Sequence, residues 1–214
     1  MGEPRRPPVI EFADVMRRLR AECPWKAAQT HTSLARYLLE ETHETLEAID
    51  SGDSAHLREE LGDLLLQVFL HTAIAEESGE FTLDDVASDA TAKMVRRNPH
   101  VFETEGPSSL TPAEVNAEWE RRKAVEKPLR TSVLDGLPPG LPALLLADKA
   151  LDRLSRAAEG DGVRHEDHRS EPADPMTSEE IGDRLLELVE SALAAGVDAE
   201  QALRHAVRRR VGER

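Results

Sequence analysis

The sequence predicts an all-α protein, a helical bundle built around one antiparallel helix hairpin. Charged residues make up 32% of the 214 residues and aromatics only 3%, a balance that favours many amphipathic helices over a β-sandwich. Apolar residues recur at three- and four-residue intervals through most of the chain, which is the period of one helix face. Two long segments of this kind are joined only by Asp50-Ser51-Gly52-Asp53-Ser54, a turn short enough to bring the second helix back beside the first.

Residues 1–8 contain three prolines and an arginine pair with no apolar run behind it, so they read as a frayed tail, not an export signal. A first domain spans 9–127. Phe12, Val15, Met16 and Leu19 mark an amphipathic helix over Val9–Glu22, followed by a loop through Cys23-Pro24-Trp25 to Thr32. The first hairpin helix runs over Ser33–Ile49, with Leu34, Leu38, Thr45, Leu46 and Ile49 expected to be its buried stripe. The second runs over Ser54–Glu77 and starts at an Asp53 or Ser54 cap. Leu57, Leu61, Leu64, Leu65, Val68 and Ile74 are its expected core face, with His56, Glu60, Asp63 and Gln67 beside it. Thr82-Leu83-Asp84-Asp85 is a capping-box variant. It opens a helix that turns Val86, Ala90 and Met94 inward and stops before Pro99, because proline disfavours helical backbone at the residue before it. A further helix spans Pro112–Lys127.

The composition changes after Lys127. Residues 128–142 include Leu137-Pro138-Pro139-Gly140 and read as a linker. Residues 143–214 hold a helix over Ala143–Ala157, an aperiodic polar stretch over 159–175 expected to be disordered, and helices over Ser178–Ala195 and Asp198–Val211. His165 and His168, inside the polar stretch, read as solvated. Glu179-Glu180-Ile181-Gly182-Asp183 repeats Glu59-Glu60-Leu61-Gly62-Asp63, and Val207-Arg208-Arg209 repeats Val95-Arg96-Arg97. These echoes mark a degenerate, truncated second copy of the first domain. It lacks the partner of the first acidic helix, so Glu180 and Asp183 are expected to be silent.

The formal net charge of −15 argues against a nucleic-acid polymer as partner, since phosphate backbones need a basic face. A small anionic substrate stays possible if cations bridge it. No segment is apolar for long enough to span a bilayer. Cys23 is the one cysteine, which rules out an intramolecular disulfide and fits a reducing, cytoplasmic setting.

The chemistry lies in five carboxylates. At about 100° per residue, Glu40 and Glu44 share a face with Glu41 at its edge, and Glu60 and Asp63 share a face of the second helix. Such acids on one helix alone are usually a solvated face. Here the returning arm repeats the pattern, the acids border the apolar stripes, and like charges at i,i+4 work against a helix unless compensated. Hard oxygen donors in this number suit Mg²⁺, or Mn²⁺ in its place. Lys93, Arg96 and Arg97 follow at a helix C-terminus, where they either meet phosphates or simply offset the helix dipole.

Glu40-Glu41-Thr42-His43-Glu44 followed by Glu60-Leu61-Gly62-Asp63 resembles the EExxE…ExxD pattern of the MazG nucleoside triphosphate pyrophosphohydrolases. Cys23-Pro24-Trp25, Gln29-Thr30-His31, Arg96-Arg97-Asn98-Pro99-His100-Val101-Phe102 and Trp119 with Lys123, Glu126 and Lys127 extend the likeness over Ile10–Lys127. The chain departs from the usual pattern at Lys26 and Asn98, away from the acids. The resemblance implies a MazG-like all-α fold completed by homodimerisation. The implied activity is Mg²⁺-dependent hydrolysis of nucleoside triphosphates to monophosphate and pyrophosphate, in nucleotide housecleaning. It implies Glu41, Glu44, Glu60 and Asp63 as metal ligands and Glu40 as a further ligand or water-positioning base. Lys93 and Arg97 are implied for the phosphates, and Trp119 near the nucleotide. Two other readings compete. A di-iron carboxylate protein would need two Glu-x-x-His motifs, of which Glu40-x-x-His43 supplies one. A non-enzymatic helical interaction protein would leave the acids without chemistry.

Overall fold

The computed structural model describes residues 6–103, 109–126, 132–160 and 176–212, apart from the side chains of Ala124 and 158–160. They form α-helices and turns, with no strand among them. The tail before Arg6, Lys127, most of the expected polar stretch, His165 and His168 lie outside the described residues. The chain divides into two compact units, one ending at Arg122 and the other starting at Lys123.

The first unit is built on α3 (His31–Ser51) and α4 (Ser54–Ser78), which pack side by side as the expected hairpin. Both ends of the turn are chemically specified. Gly52, at φ 70°, closes α3 in the left-handed region that only glycine occupies without strain. Asp53 then caps α4, its side chain accepting from the Ala55 and His56 N–H groups. α3 starts two residues before the expected Ser33 because Thr30 and Ser33 form a reciprocal capping box. Removing such a cap typically costs about 1 kcal/mol.

α1 (Pro8–Glu22) lies along α4, and its Ala13 and Met16 join Leu34, Phe69 and Leu70 in the core. Phe12 meets Phe69 with ring centroids 5.2 Å apart. The expected loop after Glu22 contains a one-turn helix, α2 (Pro24–Ala27), opened by a proline whose fixed φ suits the first helical position. Arg20 holds this segment by donating from one guanidinium nitrogen to the Lys26 and Gln29 carbonyls. α5 (Leu83–Arg97) begins at the expected Thr82–Asp85 capping box. Asn98-Pro99 ends it and opens the single turn α6 (Pro99–Phe102). α7 covers Pro112–Val125.

Burial on the hairpin differs from the expected stripes. Leu34 and Thr45 are buried, but Leu46, Ile49 and Leu61 are 52%, 54% and 51% exposed, and Leu38, Leu65 and Val68 are exposed too. The side of α4 that goes inside includes the polar residues Glu60, Gln67 and Thr72. Likewise α5 buries none of its residues, and Val86 and Met94 are exposed. The apolar spacing correctly located helices. It could not tell a face covered by this chain from a face left open on it.

In the second unit α8 (Ala143–Gly160), α9 (Ser178–Ala194) and α10 (Ala199–Arg210) follow in order. α8 continues past Ala157, so Glu159 and Gly160, expected in the disordered stretch, are helical. α8 packs on α10 around Leu146, Ala150 and Val207, and Val133, Leu134, Leu137 and Leu141 pack on that cluster. Much of the proline-glycine segment before α8 is therefore pinned to this unit. Arg153 donates to the Val133 and Asp135 carbonyls, and Arg204 to those of Pro139 and Leu141.

Candidate metal centre

Three acids meet across the hairpin. Glu41 comes from α3, Glu60 and Asp63 from α4, and each offers a carboxylate oxygen within 4.8 Å of the other two. The i,i+3 spacing puts the α4 pair on one face, and the tight turn at Gly52 brings Glu41 opposite. Glu44, one turn beyond Glu41, stands outside this trio and is exposed, yet its charge acts on both Glu41 and Glu60. Glu40 is exposed on the same helix.

The trio is under electrostatic strain. Burial first, then the neighbouring charges of Asp63 and Glu44, push the Glu41 carboxyl above its usual range, while an amide donor from Gln67 pulls it back. That donor lies 3.4 Å from Glu41 Oε1, a long contact. Glu60 is likewise raised by burial and by Glu44, and His56 offsets part of the effect. Its side chain is only 10% exposed. Oε1 lies 3.2 Å from His56 Nε2, whereas Oε2 is buried with no hydrogen-bond partner. A buried carboxylate oxygen without a partner is costly, and here it belongs to a group of acids that, among the described residues, forms no ion pair with a lysine or arginine. The three groups offer only hard oxygens, one Glu60 oxygen is unsatisfied, and the charge excess is local. Those features fit a small divalent cation. They suit di-iron ligation poorly, since no histidine belongs to the trio.

The basic and aromatic residues assemble on α5 and α7. The Arg97 guanidinium lies over the Trp119 ring, 5.1 Å from its centroid, and Lys93 is exposed one turn earlier on α5. Arg122 ties the two helices by donating to the Arg96 carbonyl. Glu118, beside Trp119, accepts from Arg121 and Arg122, which hold its carboxyl down at about 2. Trp119 also lines an open cavity of about 440 Å³ with Leu110, Pro112, Val115 and Asn116.

Sequence reasoning missed the partners of the acids. His56 and Glu60 are four apart, a spacing that could have paired them. Gln67 appeared on the polar stripe but not as a donor to Glu41. The motif copy in the second unit has a different use: the Glu180 carboxylate accepts from the Thr177 N–H and hydroxyl as part of a capping box.

Residues 29–102 match the model of the MazG nucleotide pyrophosphohydrolase domain. The chain is 46% identical over 200 residues to an uncharacterised 26.1 kDa protein of Streptomyces cacaoi, covering 92% of this chain and 77% of that one. It is 38% identical to the nucleoside triphosphate pyrophosphohydrolase/pyrophosphatase MazG of Thermotoga maritima, over 93% of this chain and 81% of that protein. It is 41% identical over 93% of its length to the nucleoside triphosphate pyrophosphohydrolase of Mycobacterium tuberculosis, of which it spans 54%.

Proposed function

This chain belongs to the MazG nucleotide pyrophosphohydrolase family, and on that premise we propose that it hydrolyses nucleoside triphosphates to the monophosphate and pyrophosphate. The observation that carries the reading is the Glu41–Glu60–Asp63 trio with its unpartnered, buried Glu60 oxygen. A triphosphate has about four negative charges, so an acidic site can take it only through cations.

Glu41, Glu60 and Asp63 would hold Mg²⁺, with Glu44 completing the ligand set, and Mn²⁺ could substitute. When bound, the cation supplies charge neutralisation and Lewis acidity toward the phosphate oxygens. Glu40, exposed on α3, would position the attacking water and accept its proton. Attack at the α-phosphorus forms one P–O bond and breaks the bridge to the β-phosphorus, so pyrophosphate leaves with the bonding electrons. Lys93 and Arg97 receive the phosphates, and Trp119 offers a ring face to the base.

The open apolar residues of α3 and α4, Leu46, Ile49, Leu61, Leu65 and Val68, support a homodimer in which a second copy covers them. Residues 143–214 act as a truncated second copy, and among their described residues no acid cluster forms a metal site. The biological role is removal of surplus or damaged nucleotides in the cytoplasm. No helix of the described residues is long and apolar enough to cross a membrane. The experiment is a panel of canonical and modified triphosphates with Mg²⁺, following both products. Pyrophosphate with monophosphate is expected. Orthophosphate as first product, or no hydrolysis of any triphosphate, overturns the reading.

A further inference from the structure

We propose that His31 and His71 form a register lock that positions the two acid-bearing helices for cation binding. The inference rests on the metal-centre reading above and adds two positioning residues to it.

The Nδ1 atoms of the two imidazoles are 2.7 Å apart, and the rings are 8° from parallel with centroids 5.0 Å apart. Near-parallel rings with nitrogens this close cannot be stacked face to face, because their planes would then be closer than van der Waals contact permits. They meet edge to edge, and one Nδ1–H points at the other nitrogen's lone pair. That bond requires at least one neutral ring. Burial and the neighbouring His31 both push the His71 pKa below its ordinary value, which keeps His71 neutral. Its Nε2 is buried without a partner. A bare buried lone pair is more readily tolerated than an orphaned N–H, so the favoured tautomer has His71 donating from Nδ1 to His31.

The position gives the bond its consequence. His31 is the first residue of α3, directly after the Thr30 cap. On α4, Glu60, Asp63, Gln67 and His71 fall on one stripe at helical spacing, and this stripe meets α3 twice: Gln67 reaches Glu41 and His71 reaches His31. At about 1.5 Å per residue, His71 lies about 12 Å along α4 from Asp63. Leu34, Phe69 and Leu70 fill the nearby core, but apolar contacts are non-directional and permit small sliding. The imidazole pair is directional and short. It fixes the axial offset between α3, which brings Glu41, and α4, which brings Glu60 and Asp63.

The test measures Mn²⁺ binding to the full chain by electron paramagnetic resonance, without nucleotide, for wild type, His31→Ala, His31→Gln and Asp63→Asn. The Mg²⁺ dependence of turnover is followed in parallel. His31→Ala is expected to weaken Mn²⁺ binding by about tenfold, the low end of what losing a direct partner of a metal ligand costs because this pair acts through the helices, and to raise half-saturating Mg²⁺ alike. Its rate at saturating Mg²⁺ is unchanged. His31→Gln, which can still meet His71, restores most of the affinity. His31 is exposed at a helix start, so its loss leaves helical circular dichroism intact. Wild-type affinity in His31→Ala, or equal weakening in His31→Gln, overturns the lock. Undiminished Mn²⁺ binding in Asp63→Asn would instead overturn the metal centre itself.

Discussion

His56 Nε2 approaches Glu60 Oε1 at 3.2 Å across one turn of α4, while the other Glu60 oxygen is buried with no partner. The carboxylate is held by one oxygen and keeps the second buried and unpartnered, while one of its oxygens lies within 4.8 Å of an oxygen of Glu41 and of Asp63. Glu60→Gln keeps the shape and removes the charge. Mg²⁺ at one hundred times its Kd should stabilise wild type by about 2.7 kcal/mol, and the variant by far less. In metal-free protein the variant should melt higher than wild type, because repulsion within the trio is relieved. Turnover should fall about a thousandfold, equivalent to about 4 kcal/mol. Thermal melts with and without Mg²⁺, beside product assays, check all three.

Arg97 stacked on Trp119 offers a platform for both phosphate and base. Base–aromatic stacking is worth about 1–3 kcal/mol, so Trp119→Ala should raise the KM for nucleoside triphosphate by about tenfold or more. The KM for inorganic tripolyphosphate, if it is cleaved, should move little. Steady-state kinetics on both substrates separates base binding from phosphate binding.

Arg17 joins α1 to α4 by a two-point contact with Glu76, Nε–Oε2 at 2.7 Å and Nη2–Oε1 at 3.0 Å. Glu76 also accepts from the Leu83 N–H at the start of α5. The Arg17 bond first, and the Leu83 bond after it, hold the Glu76 carboxyl below its ordinary value against the opposing effect of burial. A depressed folded-state pKa stabilises the fold above the unfolded value of 4.5, and that stability is lost as pH falls through the folded value. Arg17→Ala should therefore move acid unfolding to higher pH. At neutral pH it should cost about 1 kcal/mol, modest because Arg17 is half exposed. Circular dichroism against pH for both proteins tests the sign.

Asp183→Ala in the second unit should leave turnover at the wild-type rate. Its neighbour Glu180 is engaged in a helix cap, and among the described residues no acidic helix returns beside α9 as α3 does beside α4. Abolished turnover in a folded Asp183→Ala protein would give the truncated copy a catalytic part.

The hairpin was legible because its signals are local: the acids repeat at helical spacing, and Gly52, Asp53 and Thr82 set ends and caps. What sequence concealed depends on distant partners. His31 and His71 are forty residues apart, and no periodicity relates them. The burial stripes failed for a different reason. Leu61 and Leu65 share the helical spacing of buried residues yet are exposed, whereas Glu60 and Gln67 occupy the inner side against α3. The one-turn α2 gives no periodic signal because four residues are too few, although Pro24 after Cys23 is an N-terminal helix mark.

The most direct measurement is anomalous diffraction at the manganese edge from crystals soaked with Mn²⁺ and a non-cleavable triphosphate analogue. A peak between Glu41, Glu60 and Asp63, within coordination distance of the analogue's phosphate oxygens, is the expected result. Peaks only elsewhere, with phosphates distant from those three carboxylates, would contradict the account.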